Sequence, residues 1–370
     1  MQKNIELPFK LGLPARYVQG YGVLDQLGDE LRAMGQKPFI LVDRYIWSLL
    51  EKDITHSLEK ATSQYEVCEF EGECCHEEIN RTAMQSRDKG CDVIAGIGGG
   101  KALDTAKAVS HKLNKPMIMV PTTASNDAPT SRLVVVYSIE GKLEEVLTLA
   151  ANPQLVLVDT KVIAAAPVRF LVAGIGDALT TKFEAEQCAL AGYPSSMNGR
   201  QTCAALALSN LCYEIIRKDG LKAKQAVQQK LVTPAVDRVI EANILLSGLG
   251  FENGGLSVAH ALTRGLSALP ELHGALHGEE VAYGLLVQFV LENRSASFML
   301  DIRQFYRDIG LPLGLPDLGL EDPQDHHFQT IAHYTCVSPQ SHVHKLTVPV
   351  NERIITDALR MVDIMARDDG

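Results

Sequence analysis

Along the first 160 residues, short and continuously apolar runs alternate with amphipathic stretches, and this pattern constrains the fold more than any other feature of the chain. Phe39–Val42, Val93–Ile97, Met117–Val120, Leu133–Val136 and Leu155–Val158 show no in-and-out alternation. A strand with one wet face alternates in polarity, whereas a strand covered on both faces does not. Between the runs, Leu24, Leu27 and Leu31 share one helical face, as do Ala102, Ala106 and Val109. Buried strands separated by helices predict an α/β domain built on an open parallel sheet.

From about residue 165 the texture becomes helical, over 168–190, 199–217, 222–250, 255–268, 279–293 and 301–309, and no strand is expected there. Pro167 suits the first turn of a new helix, so the boundary is expected at Ala164-Ala165-Ala166-Pro167. That gives an α/β domain over residues 1–165 and an all-helical domain over 166–370. Two domains also suit a chain of 370 residues.

Charge narrows the range of partners. With 35 Lys and Arg against 45 Asp and Glu, the net charge is −10, a poor match for nucleic acid or an anionic membrane. No apolar run reaches the roughly 20 residues of a membrane span, and no signal-peptide segment is evident at the N-terminus. The eight cysteines are scattered without a CxxC pair. Reduced thiols in a cytoplasmic protein are expected.

Three segments carry chemistry. In Gly96-Ile97-Gly98-Gly99-Gly100-Lys101, a strand runs into three consecutive glycines and then a helix. Glycines let backbone N–H groups approach a pyrophosphate, and the helix N-terminus favours its charge. The pattern is not a P-loop, because Ala95 and Ala102 occupy positions that need Gly and Ser or Thr. Nor is it the GxGxxG fingerprint, whose acidic residue follows the glycines by about twenty positions; here the candidate acid, Asp43, ends an earlier strand. The second segment, Pro121-Thr122-Thr123-Ala124-Ser125-Asn126-Asp127-Ala128-Pro129-Thr130-Ser131, follows an apolar strand, at the sheet edge where open α/β folds bind ligands. The third is dispersed over the helical half: Asp177 sits in an otherwise apolar stretch, His260 in Val258-Ala259-His260-Ala261-Leu262 and His277 in Leu276-His277-Gly278-Glu279-Glu280. Buried carboxylates and imidazoles need partners, and two His with one Asp leave a fourth position open, as catalytic zinc requires. Their spacing is no local metal motif. His273, His326 and His327 read as surface residues.

Taken in order, GIGGGKALDTAK, PTTASNDAPTS, GIGDALTTKFEA, GGLSVAHAL and LHGEEVAYG resemble the metal-dependent polyol branch of the iron-containing alcohol dehydrogenase family, from about Tyr17 to Asn293. The resemblance implies a Rossmann-like parallel-sheet domain plus an all-α domain, the dehydroquinate synthase-like architecture. It implies NAD as cofactor, one Zn²⁺ per subunit, a homo-oligomer, and an active site in the cleft between domains. On this sequence the family's adenine-ribose carboxylate falls on Asp43 and its pyrophosphate glycines on Gly98, Gly99 and Gly100, with Lys101 beside them. Its nicotinamide-side contacts fall on Thr122, Ser125, Ser131, Leu133 and Tyr137, its substrate-hydroxyl contact on Asp127, and its zinc ligands on Asp177, His260 and His277. Iron-using relatives carry a further His four residues after the Asp; here that residue is Thr181, which favours the three-ligand zinc form. Two departures, Thr263 where many polyol relatives have a second His and Arg132 where a small residue is common, bear on substrate preference.

The implied activity is oxidation of glycerol, or a related vicinal diol, by hydride transfer to nicotinamide, giving dihydroxyacetone from glycerol. A dehydroquinate-synthase-like or sugar-phosphate enzyme on the same fold should show Lys and Arg converging on the site, but only Lys182 and Arg264 lie near these segments. A non-catalytic dinucleotide-binding redox sensor would have no use for the metal triad.

Overall fold

The computed structural model describes residues 7–62, 64–139 and 141–368. Its strands are β1 (Phe9–Lys10), β2 (Arg16–Gly20), β3 (Pro38–Asp43), β4 (Glu66–Phe70), β5 (Val93–Gly98), β6 (Met117–Pro121), β7 (Leu133–Tyr137), β8 (Leu143–Thr148), β9 (Leu155–Asp159) and β10 (Arg200–Gln201). Six of them form one sheet in the order β2-β9-β6-β5-β3-β4, and every pairing in it is parallel. The core strands β3, β5, β6 and β9 are buried almost throughout, as their uninterrupted apolar runs require.

Chain order reverses at the centre of this sheet. From β3 the chain moves outward to β4, then returns to the other side of β3 as β5 and continues to β6. The carboxyl ends of β3 and β5 therefore flank a topological switch point, where open α/β sheets leave a crevice for ligands. Asp43 and Gly98 are the residues that stand there.

β7 corrects the expectation that all five apolar runs lie in the parallel sheet: it pairs antiparallel with β8 in a separate hairpin. Its burial alternates, with Val134 and Val136 fully buried and Leu133, Val135 and Tyr137 only partly so. β2 and β4 join the sheet although no apolar run marks them. The helical half also contains a strand, β10, which pairs with β1. The helix break expected between 217 and 222 is absent, because one helix runs Cys203–Gln228. Gly220 is accommodated inside it, facing Ile309, Phe305 and Ile175 at ordinary contact distance. The chain turns instead at Lys230, which has φ 58°, ahead of the helix Pro234–Glu241 with Pro at its start.

The chain divides into two compact units. One holds Gly12–Pro167 together with Ala226–Gly248; the other holds the described residues up to Leu11, Val168–Gln225 and the chain from Leu249 on. The change of texture near Pro167 thus coincides with a boundary, while residues 226–248 pack with the sheet. There Lys230 Nζ donates to the carbonyls of Ala165 and Ala166, and Gln19 Nε2 donates to the carbonyl of Asp237. No described helix is long and apolar enough to cross a membrane. All eight cysteines are free.

Candidate functional site

In the helical unit three helices converge on one carboxylate. Asp177 lies on the helix Val168–Ala191, His260 on Val258–Leu266, and His277 opens His277–Leu291. The sequence permits this convergence through glycine. A Cβ at Gly176 would lie 2.5 Å from the carbonyl oxygen of Gly278, one at Gly278 would lie 1.9 Å from that of Ala173, and one at Gly284 would lie 2.5 Å from that of Ala259. The backbones are in direct contact at these points, so the residues beside the glycines, Asp177 and His277, are drawn together.

Asp177 is fully buried. Its Oδ1 lies 3.4 Å from His260 Nε2 and 3.9 Å from His277 Nε2, and the three ligand atoms lie within 4.8 Å of one another. A tetrahedral site with bonds of about 2.1 Å places its ligand atoms about 3.4 Å apart, so spacing and donor types both fit a zinc-like cation. Thr181, one turn after Asp177, is buried; a Cβ at Gly250 would lie 2.2 Å from its methyl group. Its methyl group packs against Gly250, and the cluster of His and Asp has three members. The other His-rich positions do not join it: among the described residues this is the one such cluster of His, Cys, Asp and Glu.

Glu184 belongs to the same centre, and the sequence reading missed it. Fully buried, it accepts backbone hydrogen bonds at Oε1 from Ser257 N (2.9 Å) and His260 N (3.0 Å), and its Oε2 lies 2.5 Å from His260 Nδ1. Burial alone pushes its pKa up, but the charge and hydrogen bonds of His260 outweigh this, and the net shift is downward. Burial likewise pushes His260 down, and the flanking carboxylates, Glu184 foremost, hold it well above the ordinary imidazole value. With Nδ1 donating to Glu184, Nε2 is directed at Asp177. This is the outer carboxylate commonly found behind a metal-bound imidazole. The available signal was spacing: Glu184 follows Asp177 by seven residues, two helical turns, and so shares its face.

In the α/β unit, β5 ends at Gly98, with φ 152°, and hands over to the helix Gly100–Leu113 through Gly99. A Cβ at Gly98 would lie 3.3 Å from that of Asp43. No side chain caps Gly99, the first turn carries no acidic residue, and the space beside Gly99 is open. These are the conditions for an anion at a helix N-terminus. Beside it, the hydroxyl of Thr122 is buried with no hydrogen-bond partner among the described residues. Such an orphan at the sheet edge fits a polar ligand. Asp43 is also the N-cap of Arg44–Ala61, its Oδ1 accepting from Tyr45 N and Ile46 N. Lys101 is exposed, pairs with Glu73 at 2.6 Å and lies 5.4 Å from the ring centre of Tyr137.

The loop after β6 is held from beneath by Lys107, a fully buried lysine. It pairs with Asp104 at 2.7 Å and donates to the carbonyls of Ala128 and Leu133. Ser125 Oγ lies 3.2 Å from Thr123 Oγ1, while Ser131 Oγ donates to the carbonyl of Ala128 and accepts from Leu133 N. Asp127 is buried at 7% exposure and its Oδ2 accepts from Ser247 Oγ at 2.7 Å. It does not cap the turn that follows it; Asn126 Oδ1 accepts from Ala128 N instead. The predicted residues therefore form two groups: Asp177, His260 and His277 in the helical unit, and the cofactor-side residues with Asp127 in the α/β unit. Thr263 donates to the carbonyl of His260 from the next helical turn.

An open parallel sheet with a glycine-lined helix start, joined in one chain to a helical unit with an Asp-His-His cluster, suits a metal-dependent, nucleotide-linked oxidoreductase. The chain belongs to the iron-containing alcohol dehydrogenase family, whose model matches residues 14–160. It is 42% identical to a glycerol dehydrogenase of Thermotoga maritima over 96% of both chains. It is 41% identical to a glycolaldehyde reductase of Halobacterium salinarum over 96% of this chain and 97% of the relative. The glycerol dehydrogenase structure from Schizosaccharomyces pombe superposes with a TM-score of 0.94 at 34% identity, covering 99% of this chain and 93% of that one.

Proposed function

We propose that the chain oxidises glycerol, or a closely related vicinal diol, with NAD⁺ and a zinc ion: the secondary alcohol loses a hydride to nicotinamide and a proton to solvent, yielding a ketone, NADH and H⁺. The observation that carries this reading is the Asp177–His260–His277 cluster, built on a fully buried carboxylate and open to solvent at His277, with ligand-like spacing and a carboxylate behind one imidazole.

When bound, zinc supplies a Lewis acid that makes a carbinol hydroxyl more acidic, and nicotinamide supplies the hydride acceptor. Asp177, His260 and His277 would hold the metal, with Glu184 fixing the His260 tautomer so that Nε2 presents its lone pair. Gly98, Gly99, Gly100 and the helix they open would take the pyrophosphate. Asp43 would accept the ribose hydroxyls, and Thr122, Ser125, Ser131, Leu133 and Tyr137 would border the nicotinamide. Asp127 would accept a hydrogen bond from the hydroxyl next to the reacting carbon, since a carboxylate is an acceptor with several lone pairs. Glycerol and glycolaldehyde, the compounds named by the two relatives, share such a neighbouring hydroxyl, which supports that role.

The test is NADH formation from glycerol by the purified chain, with zinc, after chelation and after zinc is restored. A chelated protein that keeps full turnover overturns the proposal. With substrates varied, glycerol and 1,2-propanediol should be turned over far better than 2-propanol, because a site built to pair a second hydroxyl discriminates against an analogue lacking it.

A further inference from the structure

The helical segment that packs against the Asp127 loop is not a regular α-helix. After Pro234–Glu241 the backbone opens into a five-residue π turn, Ala242–Leu246, before α-helical geometry resumes at Ser247. A π turn pairs each residue with the fifth one on, and such turns are frequent at functional sites. The π turn and the two residues after it meet the loop at four places. Asn243 Nδ2 donates to the carbonyl of Ala124 at 3.0 Å. The carbonyl of Ile244 accepts from Thr130 Oγ1 at 3.0 Å. Ser247 Oγ donates to Asp127 Oδ2 at 2.7 Å. A Cβ at Gly248 would lie 1.8 Å from Thr130 Oγ1, so the close approach depends on glycine. Ser247 and Asn243 are both fully buried.

We infer that Ser247 is a specificity-positioning residue: its hydroxyl fixes the plane of the Asp127 carboxylate so that the carboxylate accepts the second hydroxyl of a vicinal diol, and the π turn sets the register that brings Ser247 there. The inference rests on the diol-binding role proposed for Asp127. A carboxylate turns readily about its terminal torsion, so one fixed donor on Oδ2 decides where its remaining lone pairs point. Asp127 makes no capping bond within its own turn, so its orientation is not set there.

The experiment compares kcat/KM for 1,2-propanediol and for 2-propanol at saturating NAD⁺, in the full zinc-loaded chain and in Ser247→Ala, Ser247→Cys, Asp127→Ala and the Ser247→Ala/Asp127→Ala double variant. Loss of one hydrogen bond to a charged acceptor should lower the diol-to-alcohol ratio about tenfold in Ser247→Ala. Ser247→Cys keeps the side-chain volume with a weaker donor and should fall between. The double variant should be no less selective than Asp127→Ala alone, and the KM for NAD⁺ should hold throughout. A ratio that stays within about twofold of wild type in Ser247→Ala while Asp127→Ala collapses it overturns the inference and leaves the role of Asp127 standing. Equal slowing of both alcohols by Ser247→Ala also overturns it, since that is the mark of a purely structural contact. Equal slowing by Asp127→Ala overturns the reading of Asp127 itself, and the inference with it.

Discussion

Asp43 shows how one side chain can serve the fold and the proposed chemistry at once. Its Oδ1 caps the helix Arg44–Ala61 by accepting from two backbone N–H groups, while its place at the end of β3 beside Gly98 is where a ribose carboxylate belongs. The two roles separate by mutation. Asp43→Ser retains a cap and removes the charge, so the preference for NAD over NADP should narrow while unfolding stability changes little. Asp43→Ala should narrow it equally but also lose about 1 kcal/mol, read by denaturant unfolding. Equal wild-type efficiency with NAD and NADP rules out a ribose role for Asp43. Glu184 is separable in the same way. Glu184→Gln keeps the shape but weakens the hold on His260 Nδ1, and metal affinity measured by competition with a chelator should drop about 10- to 100-fold. NAD⁺ binding should be unaffected, and unchanged metal affinity would show that Glu184 only fills space. The Asp-His-His set was legible in the sequence through the motifs around its members, with Asp177 and His260 set among apolar residues and His277 in Leu276-His277-Gly278-Glu279-Glu280. Glu184 was not, because in Lys182-Phe183-Glu184-Ala185-Glu186 a glutamate looks like one more solvated side chain, and only the two-turn spacing from Asp177 sets it apart.

Between residue and domain, the metal centre depends on how closely helices pack. The contacts at Gly278 are all with the Ala173 backbone, and no side chain can swing aside there to admit a methyl group. Gly278→Ala should therefore cost at least about 1–3 kcal/mol and lower metal affinity, with unfolding and chelator competition as the readouts. Stability and affinity both held at wild-type values would mean the helices have room to shift. The loop after β6 depends on a different device, the buried Lys107–Asp104 pair. Lys107→Met leaves Asp104 buried without its cation and should destabilise the protein by about 3–5 kcal/mol. Adding Asp104→Leu should recover part of that loss, which denaturant unfolding of the single and double variants would measure. Element type was legible wherever burial is two-sided, as in β3, β5, β6 and β9. It was not legible in β4, where Glu66 and Glu69 dilute the pattern of an edge strand. Nor was the partner of β7: an apolar run specifies burial, and Leu133–Val136 satisfies that as well in a hairpin packed on a helix as in the sheet. The π turn leaves no trace in the sequence, because Ala-Asn-Ile-Leu-Leu is compatible with an ordinary helix.

At the scale of the whole chain, the break in texture near Pro167 marks where one unit gives way to the other, yet residues 226–248 return to the sheet unit. Their sequence is as helical and amphipathic as that of their neighbours, so periodicity identified the helix but not what it packs against; that is decided by contacts such as Lys230 with Ala165 and Gln19 with Asp237. The division has a thermodynamic consequence. All three proposed metal ligands, and Glu184 behind them, lie in the helical unit, whereas the glycine turn and Asp43 lie in the sheet unit. A ligand stabilises the state that binds it, by about 2.7 kcal/mol at a hundred times its dissociation constant, and local opening reports where that stabilisation acts. Removing the metal should therefore raise amide hydrogen exchange in Val168–Ala191, Val258–Leu266 and His277–Leu291 and leave β5 and Gly100–Leu113 near their original protection. Adding NAD⁺ to the metal-free protein should protect β5, the start of Gly100–Leu113 and the loop 122–131. Exchange that rises uniformly on chelation would mean that metal removal unfolds both units together, and protection by NAD⁺ confined to the three metal-site helices would remove the basis for placing the dinucleotide at the glycine turn.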